Sequence, residues 1–177
     1  MYAIRHGKTD DNARGIYSGR SCISLNEVGR RETYRVANDE IKYLDIKTIY
    51  SSPIWRAKET AEIIRSVTGA SIVIDDRLTE MEMGLFQDKS EEYLRETYEE
   101  IYWTWVTTPH LLKLEGRETL QEVHDRAVGF YKEKLWEEGV LVVSHVAPLR
   151  CMVLYRMGYP LSNYKKIEIK NATLFKV

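Results

Sequence analysis

An Arg-His-Gly tripeptide at residues 5–7 has the side chains needed to bind and attack an anionic group. It follows a short apolar run, residues 1–4, with the composition of a β-strand. An imidazole at the carboxyl end of a strand, beside a guanidinium and a glycine that lets the backbone approach closely, suits such chemistry. Taken alone, the tripeptide is explained equally well by a buried histidine that caps the strand.

Two later segments repeat the pattern of a strand followed by a polar side chain. A predicted strand ends at Ser51, and Pro53 then starts a helix that places Arg56 in its first turn. The helix dipole disfavours an arginine there, so Arg56 is better explained by an external anion. His145 follows the most apolar strand of the chain. Because the carboxyl ends of parallel strands share one edge of a sheet, we expect His6 and His145 to meet.

Carboxylates between residues 77 and 84 are the next candidates for chemistry. Glu80 and Glu82 lie two residues apart, and either is also explained as ordinary surface charge. The four histidines lie far apart in sequence without the spacing of metal ligands. We therefore predict no metal site.

Alternating strand and helix patterns must position these side chains, and they predict an α/β fold with a largely parallel sheet. Further strands are predicted at 48–51, 71–74 and 139–144. The first predicted helix runs from a capping box at 24–27 to about residue 44, and the second runs from an N-cap at Ser52 to residue 68. A third helix begins at Ser90 and carries an apolar stripe of Leu94, Tyr98, Ile101 and Trp105. A fourth helix is predicted from 119 to 138 with Gly139 as the stop, and a fifth begins at Pro148. Residues 165–177 are predicted to form two extended segments.

Composition restricts the classes of partner. The chain has 177 residues, of which 44% are hydrophobic and 30% charged, enough for one domain with a substantial core. Its net charge of -1 gives no broad field for nucleic acid or an anionic membrane, so we expect neither as a partner. No apolar stretch approaches a membrane span, and a first strand that starts at residue 1 predicts no signal peptide. Two cysteines without CxxC spacing favour a cytoplasmic location.

In their order along the chain, these segments resemble the histidine phosphatase superfamily, the phosphoglycerate-mutase-like group. The resemblance covers nearly the whole chain and rests on Arg5-His6-Gly7-x-Thr9-x-x-Asn12, Ser18-Gly19, residues 25–29, Ser51-Ser52-Pro53-x-x-Arg56-Ala57-x-x-Thr60-Ala61, Leu78-x-Glu80-x-x-x-Gly84, Gly116-x-Glu118-Thr119 and Ser144-His145. It implies a three-layer αβα sandwich around a mostly parallel sheet. It also implies a single domain over 1–177 with a short cap insert at about 85–117.

The resemblance implies a phosphatase that needs no metal or cofactor, and it assigns catalytic roles to two histidines and two arginines. His6 would attack phosphorus of a small-molecule phosphate ester and form a phosphohistidine. Arg5, Arg56 and His145 would surround the phosphate oxygens, where charge is concentrated during phosphoryl transfer.

The resemblance also implies a proton donor and further contacts. Glu80 would protonate the leaving oxygen and then deprotonate the hydrolytic water, and Glu82 is the alternative acid. An adjacent phosphate dianion would favour the protonated form that Glu80 needs. Other contacts to phosphate or substrate are expected from Asn12, Ser18, Gly19 and Val146.

The chain departs from the family pattern at three places. Lys8 stands where Glu or Gln is commoner, and Val146 replaces a frequent glycine, where it would narrow or reshape the phosphate cage. The run 86–88, Phe-Gln-Asp, replaces the usual aromatic-acid-Gly sequence and leaves the local loop unpredicted. None of these changes removes a catalytic atom.

The insert between Glu80 and Glu118 favours a phosphatase over a mutase. It is short and acidic and lacks the paired arginines of the family's mutases, so it offers no closing lid against water. Phosphoglycerate mutase-type transfer is the alternative, and a non-catalytic phosphoester-binding protein is the alternative from another class. Relatives of that kind usually lose the nucleophile or the acid, so the presence of His6, Glu80 and His145 counts against the binding protein.

Aromatic side chains in the same insert have two explanations. They would form a wall for a ring-bearing ester such as α-ribazole 5'-phosphate, or an amphipathic helix that packs on the sheet or on a partner in a homodimer. Normal helical spacing favours the packing helix. The residues are Tyr93, Tyr98, Tyr102, Trp103 and Trp105.

Overall fold

The computed structural model describes all residues from 1 to 177. Its strands are β1 (Tyr2–Arg5), β2 (Ile16–Tyr17), β3 (Thr48–Ser51), β4 (Ser71–Ile74), β5 (Lys89–Ser90), β6 (Val140–Ser144) and β7 (Leu174–Lys176). Five of them form the central sheet in the order β4-β3-β6-β1-β7, in which only β7 is antiparallel. The predicted strands at 48–51 and 71–74 are confirmed.

Helices cover both faces of this sheet. They are α1 (Asp10–Arg14), α2 (Glu27–Asp39), α3 (Trp55–Thr68), α4 (Glu91–Thr97), α5 (Glu99–Thr107), α6 (Leu120–Lys134) and α7 (Val146–Met157). The pair α2 and α3 packs on one face, and the pair α6 and α7 packs on the other. The predicted three-layer αβα sandwich is confirmed.

Side-chain alternation along the central strands builds two separate cores. In β6, Val142 points into the core beneath α6 and α7, whereas Val143 points into the core beneath α2 and α3. Ala3 and Ile4 of β1 divide in the same way. Both faces of these strands are covered, which explains why their sequences are continuously apolar.

Two helices begin later than their sequence signals predict. The N-cap of α2 is Asn26, whose side chain accepts a hydrogen bond from the Gly29 N–H, and the helix ends at Asp39 rather than near residue 44. Helix α3 begins at Trp55 with Ile54 as its N-cap. The predicted N-cap, Ser52, instead accepts from the N–H of Ile54 in the turn that leaves β3. The capping box at 24–27 and the N-cap at Ser52 are therefore wrong.

Other helix boundaries also differ from the prediction. The single helix predicted after Ser90 is interrupted at Tyr98, whose φ of -133° and ψ of 51° are not helical. Helix α6 ends at Lys134, well before Gly139. Helix α7 begins at Val146, so Pro148 lies within its first turn, where the missing N–H costs nothing. The end of the chain forms a 3₁₀ helix, Leu161–Lys166, and then β7. No helix of the protein has the length and apolar character needed to cross a bilayer.

Helix α2 lies directly against the loop that follows His6. A Cβ atom added at Gly29 would lie 2.2 Å from the carbonyl oxygen and 2.6 Å from the nitrogen of Lys8, which are backbone atoms. Glycine is therefore required at position 29 for this close approach. Gly129 on the exposed side of α6 has no atom within 4 Å of the same added carbon.

We predict opposite effects for alanine at these two helical glycines. Gly29→Ala should lower the free energy of unfolding by about 1–3 kcal/mol, because the new methyl group forces α2 away from the His6 loop. Gly129→Ala is the matched control and should raise it by about 0.5–1 kcal/mol through helix propensity. Urea unfolding of both variants measures this, and equal effects would contradict the close-packing explanation.

Candidate active site

His6, Arg56 and His145 converge at the carboxyl edge of the sheet, as the sequence predicts. The ring centroids of His6 and His145 lie 5.1 Å apart with the planes tilted by 54°. All three side chains are almost completely buried. Residues separated by up to 139 positions therefore share one small volume.

His6 presents one ring nitrogen to this volume. Its Nδ1 lies 2.7 Å from the carbonyl oxygen of Gly7, and with Nδ1 as the donor the lone pair is on Nε2. The Nε of Arg56 donates to that Nε2 at 3.1 Å. Burial, followed by the charges of Arg56 and Arg5, holds the pKa of His6 well below 6.5. The ring is therefore neutral at neutral pH, as a nitrogen nucleophile must be.

Arg56 is buried without a carboxylate partner. Its Nη2 donates to the carbonyl oxygen of Gly19 at 2.6 Å and its Nη1 to that of Ser21 at 3.1 Å. Burial lowers the pKa of Arg56, and the charges of Glu80 and Asp11 offset this effect only in part. A buried cation without an ion-pair partner is costly, so the site is suited to receive an anion.

Arg5 has the same character. Its Nη1 donates to the carbonyl oxygen of Ile169 at 3.1 Å, and its Nε is buried with no hydrogen-bond partner. Burial lowers the pKa of Arg5 to about 10, the carboxylate of Glu80 opposes this shift, and the positive charges of Arg150 and Arg56 add to it. A second guanidinium therefore faces the site without a carboxylate in direct contact.

His145 is held by Ser52, the residue that directly follows β3. Its Nε2 lies 2.8 Å from the Oγ of Ser52, and its Nδ1 is buried without a partner. Because Ser52 Oγ already accepts from the N–H of Ile54, its hydroxyl proton is available for Nε2. In that tautomer the Nδ1–H is a free buried donor. Burial, followed by the Arg56 charge, holds the pKa of His145 well below 6.5.

Glu80 and Glu82 have different surroundings. One oxygen of the buried Glu80 side chain accepts from the N–H of Met81 at 2.8 Å and of Ala147 at 3.3 Å. Glu80 also lines the cavity beside His6. Glu82 does not line the cavity, and its carboxylate pairs with Arg20 at 3.1 Å. The geometry therefore favours Glu80 as the acid.

The other predicted contact residues all line one cavity of about 360 Å³ together with Arg5, His6, Arg56 and Glu80, whereas the fully buried His145 does not line it. Asn12 accepts from the N–H of Thr9 in a capping box. Ser18 donates to Asp11 at 2.9 Å, and Gly19 has a φ of 45° at a place where an added Cβ atom would clash with the Gln87 side chain. These predicted residues are Asn12, Ser18, Gly19 and Val146.

A network of polar side chains that sequence reasoning missed holds the loop bearing Glu80. Four successive carbonyl oxygens, from residue 77 to residue 80, each accept a hydrogen bond from a distant side chain. Arg126 donates to those of residues 77 and 79, Ser144 to that of residue 78, and Arg20 to that of Glu80. Glu118 joins the two arginines, at 2.9 Å from Arg20 and 2.8 Å from Arg126.

Gln87 fixes the neighbouring loop in a similar way. Its Nε2 donates to the carbonyl oxygen of Ser18 at 2.6 Å, next to the Gly19 carbonyl that holds Arg56. The run 86–88, left unpredicted by the sequence, thus braces the loop that positions the guanidinium. No group of three or more His, Cys, Asp or Glu side chains lies close enough to hold a metal ion.

The aromatic side chains of the insert mainly pack against the protein core, as their helical spacing predicts. Tyr98 and Tyr102 lie against the core beneath α6 and α7, and Tyr93 and Trp103 are exposed. Trp105 belongs to that core and also lines the cavity, which spacing alone did not predict.

Comparison with known proteins gives a consistent picture. A family model described as the histidine phosphatase superfamily (branch 1) matches residues 1–177. Phosphoserine phosphatase 1 of Hydrogenobacter thermophilus is 32% identical over 177 residues, which cover 98% of this chain and 83% of that protein. A probable phosphoglycerate mutase GpmB of Salmonella choleraesuis is 30% identical over 180 residues, which cover 100% and 83%.

Solved structures are similar over nearly the whole chain. The YhfR protein of Bacillus stearothermophilus superposes with a TM-score of 0.90 at 26% identity, covering 98% of this chain and 87% of that one. A putative alpha-ribazole-5'-P phosphatase of Escherichia coli superposes with a TM-score of 0.85 at 22% identity, covering 98% and 86%. At that identity the second likeness shows the fold alone.

The two buried histidines predict a loss of stability in acid. Their pKa values lie well below 6.5 in the folded protein, whereas both rings titrate near 6.5 when unfolded. As the pH falls through 6.5 the unfolded state binds protons first, so the free energy of unfolding decreases until the folded rings titrate. At pH 5.5 each ring accounts for a loss of about 1.4 kcal/mol relative to neutral pH.

His145→Gln removes one of these titrating groups. The difference in free energy of unfolding between pH 7.5 and pH 5.5 should therefore shrink by about 1.4 kcal/mol in this variant. Urea unfolding in phosphate-free buffer measures the difference. An unchanged difference would show that His145 is not held neutral in the folded protein.

Proposed function

We propose that this chain, which belongs to the histidine phosphatase superfamily and is a phosphatase of that family, hydrolyses small phosphate monoesters through a phosphohistidine on His6. The observation that carries the proposal is the hydrogen bond between buried Arg56 and Nε2 of His6, in a cavity that Arg5 also lines, with neither guanidinium paired to a carboxylate. A phosphate dianion supplies the charge that Arg5 and Arg56 lack.

In the first step, Nε2 of His6 forms a bond to phosphorus as the bond to the leaving oxygen breaks. Arg5, Arg56 and the Nδ1–H of His145 stabilise the charge on the three remaining oxygens. The negative phosphate favours the protonated form of Glu80, which gives its proton to the leaving oxygen.

In the second step, water attacks the phosphorus of the phosphohistidine. Glu80, now ionised, takes a proton from that water as the bond between phosphorus and Nε2 breaks. Inorganic phosphate is released, and His6 and Glu80 return to their starting protonation states. The side chains that hold the loop of Glu80 keep one carboxylate in position for both transfers.

The ester can be proposed only as a class of compound. The named relatives and the similar structure include proteins described as a phosphoserine phosphatase, a phosphoglycerate mutase and an alpha-ribazole-5'-P phosphatase. We propose a small phosphorylated metabolite, with α-ribazole 5'-phosphate as one test compound. Mutase-type transfer is the second candidate, because a relative at 30% identity carries that name.

We predict that His6→Ala abolishes phosphate release from p-nitrophenyl phosphate in the absence of added metal. Intact-mass spectrometry of the acid-sensitive intermediate, quenched in base, should show a phosphoryl adduct on the wild type and none on His6→Ala. His124→Ala on α6, outside the cavity, is the control. A wild type that forms no adduct, or interconverts 2- and 3-phosphoglycerate faster than it releases phosphate, would contradict the proposal.

We predict that Glu80→Gln lowers kcat/KM by about 10²–10⁴-fold, the usual size of a general-acid effect. The loss should be larger for an alkyl phosphate than for p-nitrophenyl phosphate, since an alkoxide leaves poorly without a proton. Glu82→Gln is the matched control and should stay within a few-fold of wild type. Near-normal activity in Glu80→Gln would assign the acid to another residue.

A further inference from the structure

Two further cations line the cavity beyond the phosphate cage, and neither forms an ion pair with the protein. Arg150 lies one helical turn after Val146 on α7, and Lys165 lies in the 3₁₀ helix Leu161–Lys166. No carboxylate oxygen lies within 4.0 Å of the charged nitrogens of either side chain, whereas the nearby carboxylates of Asp11, Glu82 and Glu118 are each paired with an arginine. The mechanism on His6 uses neither of them.

Both cations are held in place by specific contacts. The Nε of Arg150 donates to the carbonyl oxygen of Ile167 at 2.7 Å, and its guanidinium lies 4.9 Å from the centre of the Tyr164 ring. The Nζ of Lys165 lies 3.9 Å from the centre of the Trp105 ring. These contacts fix the charges in position without neutralising them.

Trp105 is itself a rigid support. It is 4% exposed, and its Nε1 donates to the hydroxyl of Tyr17 at 3.1 Å. Burial lowers the pKa of Lys165 to about 8, and the nearby charges of Arg150 and Arg117 act in the same direction. Lys165 nonetheless keeps part of its surface exposed to solvent, and the carboxylate of Glu91 opposes this lowering of its pKa.

One carboxylate balances part of this charge. Glu91 lines the same end of the cavity and accepts from the Tyr17 hydroxyl at 3.2 Å. Among the side chains that line this end of the cavity, two cations and one carboxylate leave a net charge of about +1, which suits the single negative charge of a carboxylate. The buried Arg117, whose guanidinium lies 4.4 Å from the centre of the Trp105 ring, adds positive potential without lining the cavity.

We propose that Arg150 and Lys165 form a second anion subsite, which makes the enzyme selective for phosphate monoesters whose leaving group carries a carboxylate. The inference rests on the proposed function, since it concerns the leaving group of the same reaction. It places the phosphate at Arg5 and Arg56 and the carboxylate at the Trp105 end of one cavity. The subsite comes from α7 and the segment after it, and not from the cap insert.

Two pairs of esters isolate the contribution of the carboxylate. 3-Phosphoglycerate is compared with glycerol 3-phosphate, and phosphoserine with phosphoethanolamine, so that each pair differs by that group and the second also carries an ammonium. We expect kcat/KM for the carboxylated member to exceed that of its partner by about tenfold or more, equivalent to 1.4 kcal/mol. Fructose 1,6-bisphosphate compared with fructose 6-phosphate tests a second phosphate in place of the carboxylate.

Lys165→Met keeps the apolar stem over Trp105 and removes the charge. It should reduce the carboxylate preference to about threefold or less, and Lys165→Arg should restore it. Lys166→Met, at an exposed neighbour that does not line the cavity, is the matched control and should keep the wild-type preference.

The outcomes separate the two proposals. Hydrolysis of all esters with no carboxylate preference, a preference that survives in Lys165→Met, or a stronger preference for the bisphosphate would overturn the subsite and leave the proposed function intact. Failure to hydrolyse any ester, including p-nitrophenyl phosphate, would overturn the proposed function itself.

Discussion

The site depends on positive charge that is buried without an ion-pair partner. Two guanidinium groups and two neutral imidazoles occupy the carboxyl edge of a parallel sheet, and the partners of the arginines are carbonyl oxygens and a ring nitrogen. Carbonyl dipoles orient a guanidinium but do not neutralise it. The same charges that would destabilise the empty site therefore attract a phosphate. Together with burial, which is the larger cause, they hold the pKa of both histidines well below 6.5.

Hydrogen bonds from distant side chains fix the loops that surround these buried charges. The loop that bears Glu80 has few backbone partners, and side chains from α6, β6 and the segment after β2 bind its carbonyl oxygens instead. Glu118 and Gln87 connect these contacts to the loop that holds Arg56. The acid and the cation are thus fixed by one continuous polar network rather than by two independent loops.

The sequence predicted the sheet and the meeting of His6 with His145 because both follow from strand order. A parallel sheet brings strand ends together however far apart they lie in the chain. The polar network was not predictable in the same way, since Arg20 and Glu118 are 98 positions apart and neither belongs to a periodic pattern. The predicted starts of two helices were wrong for a related reason. Ser52 has the composition of an N-cap, but its hydroxyl lies between the Ile54 N–H and the ring of His145, a tertiary contact that local sequence does not encode.

The hydrogen bond from Arg56 to Nε2 of His6 has a consequence for chemical selectivity. While that bond is intact, the lone pair that would attack is occupied. An incoming group frees it only by offering the guanidinium a better acceptor, and a negatively charged oxygen does so whereas a neutral electrophile does not. The resting nucleophile is therefore masked against uncharged alkylating and acylating agents, and it is released by the charge of the group it is meant to attack.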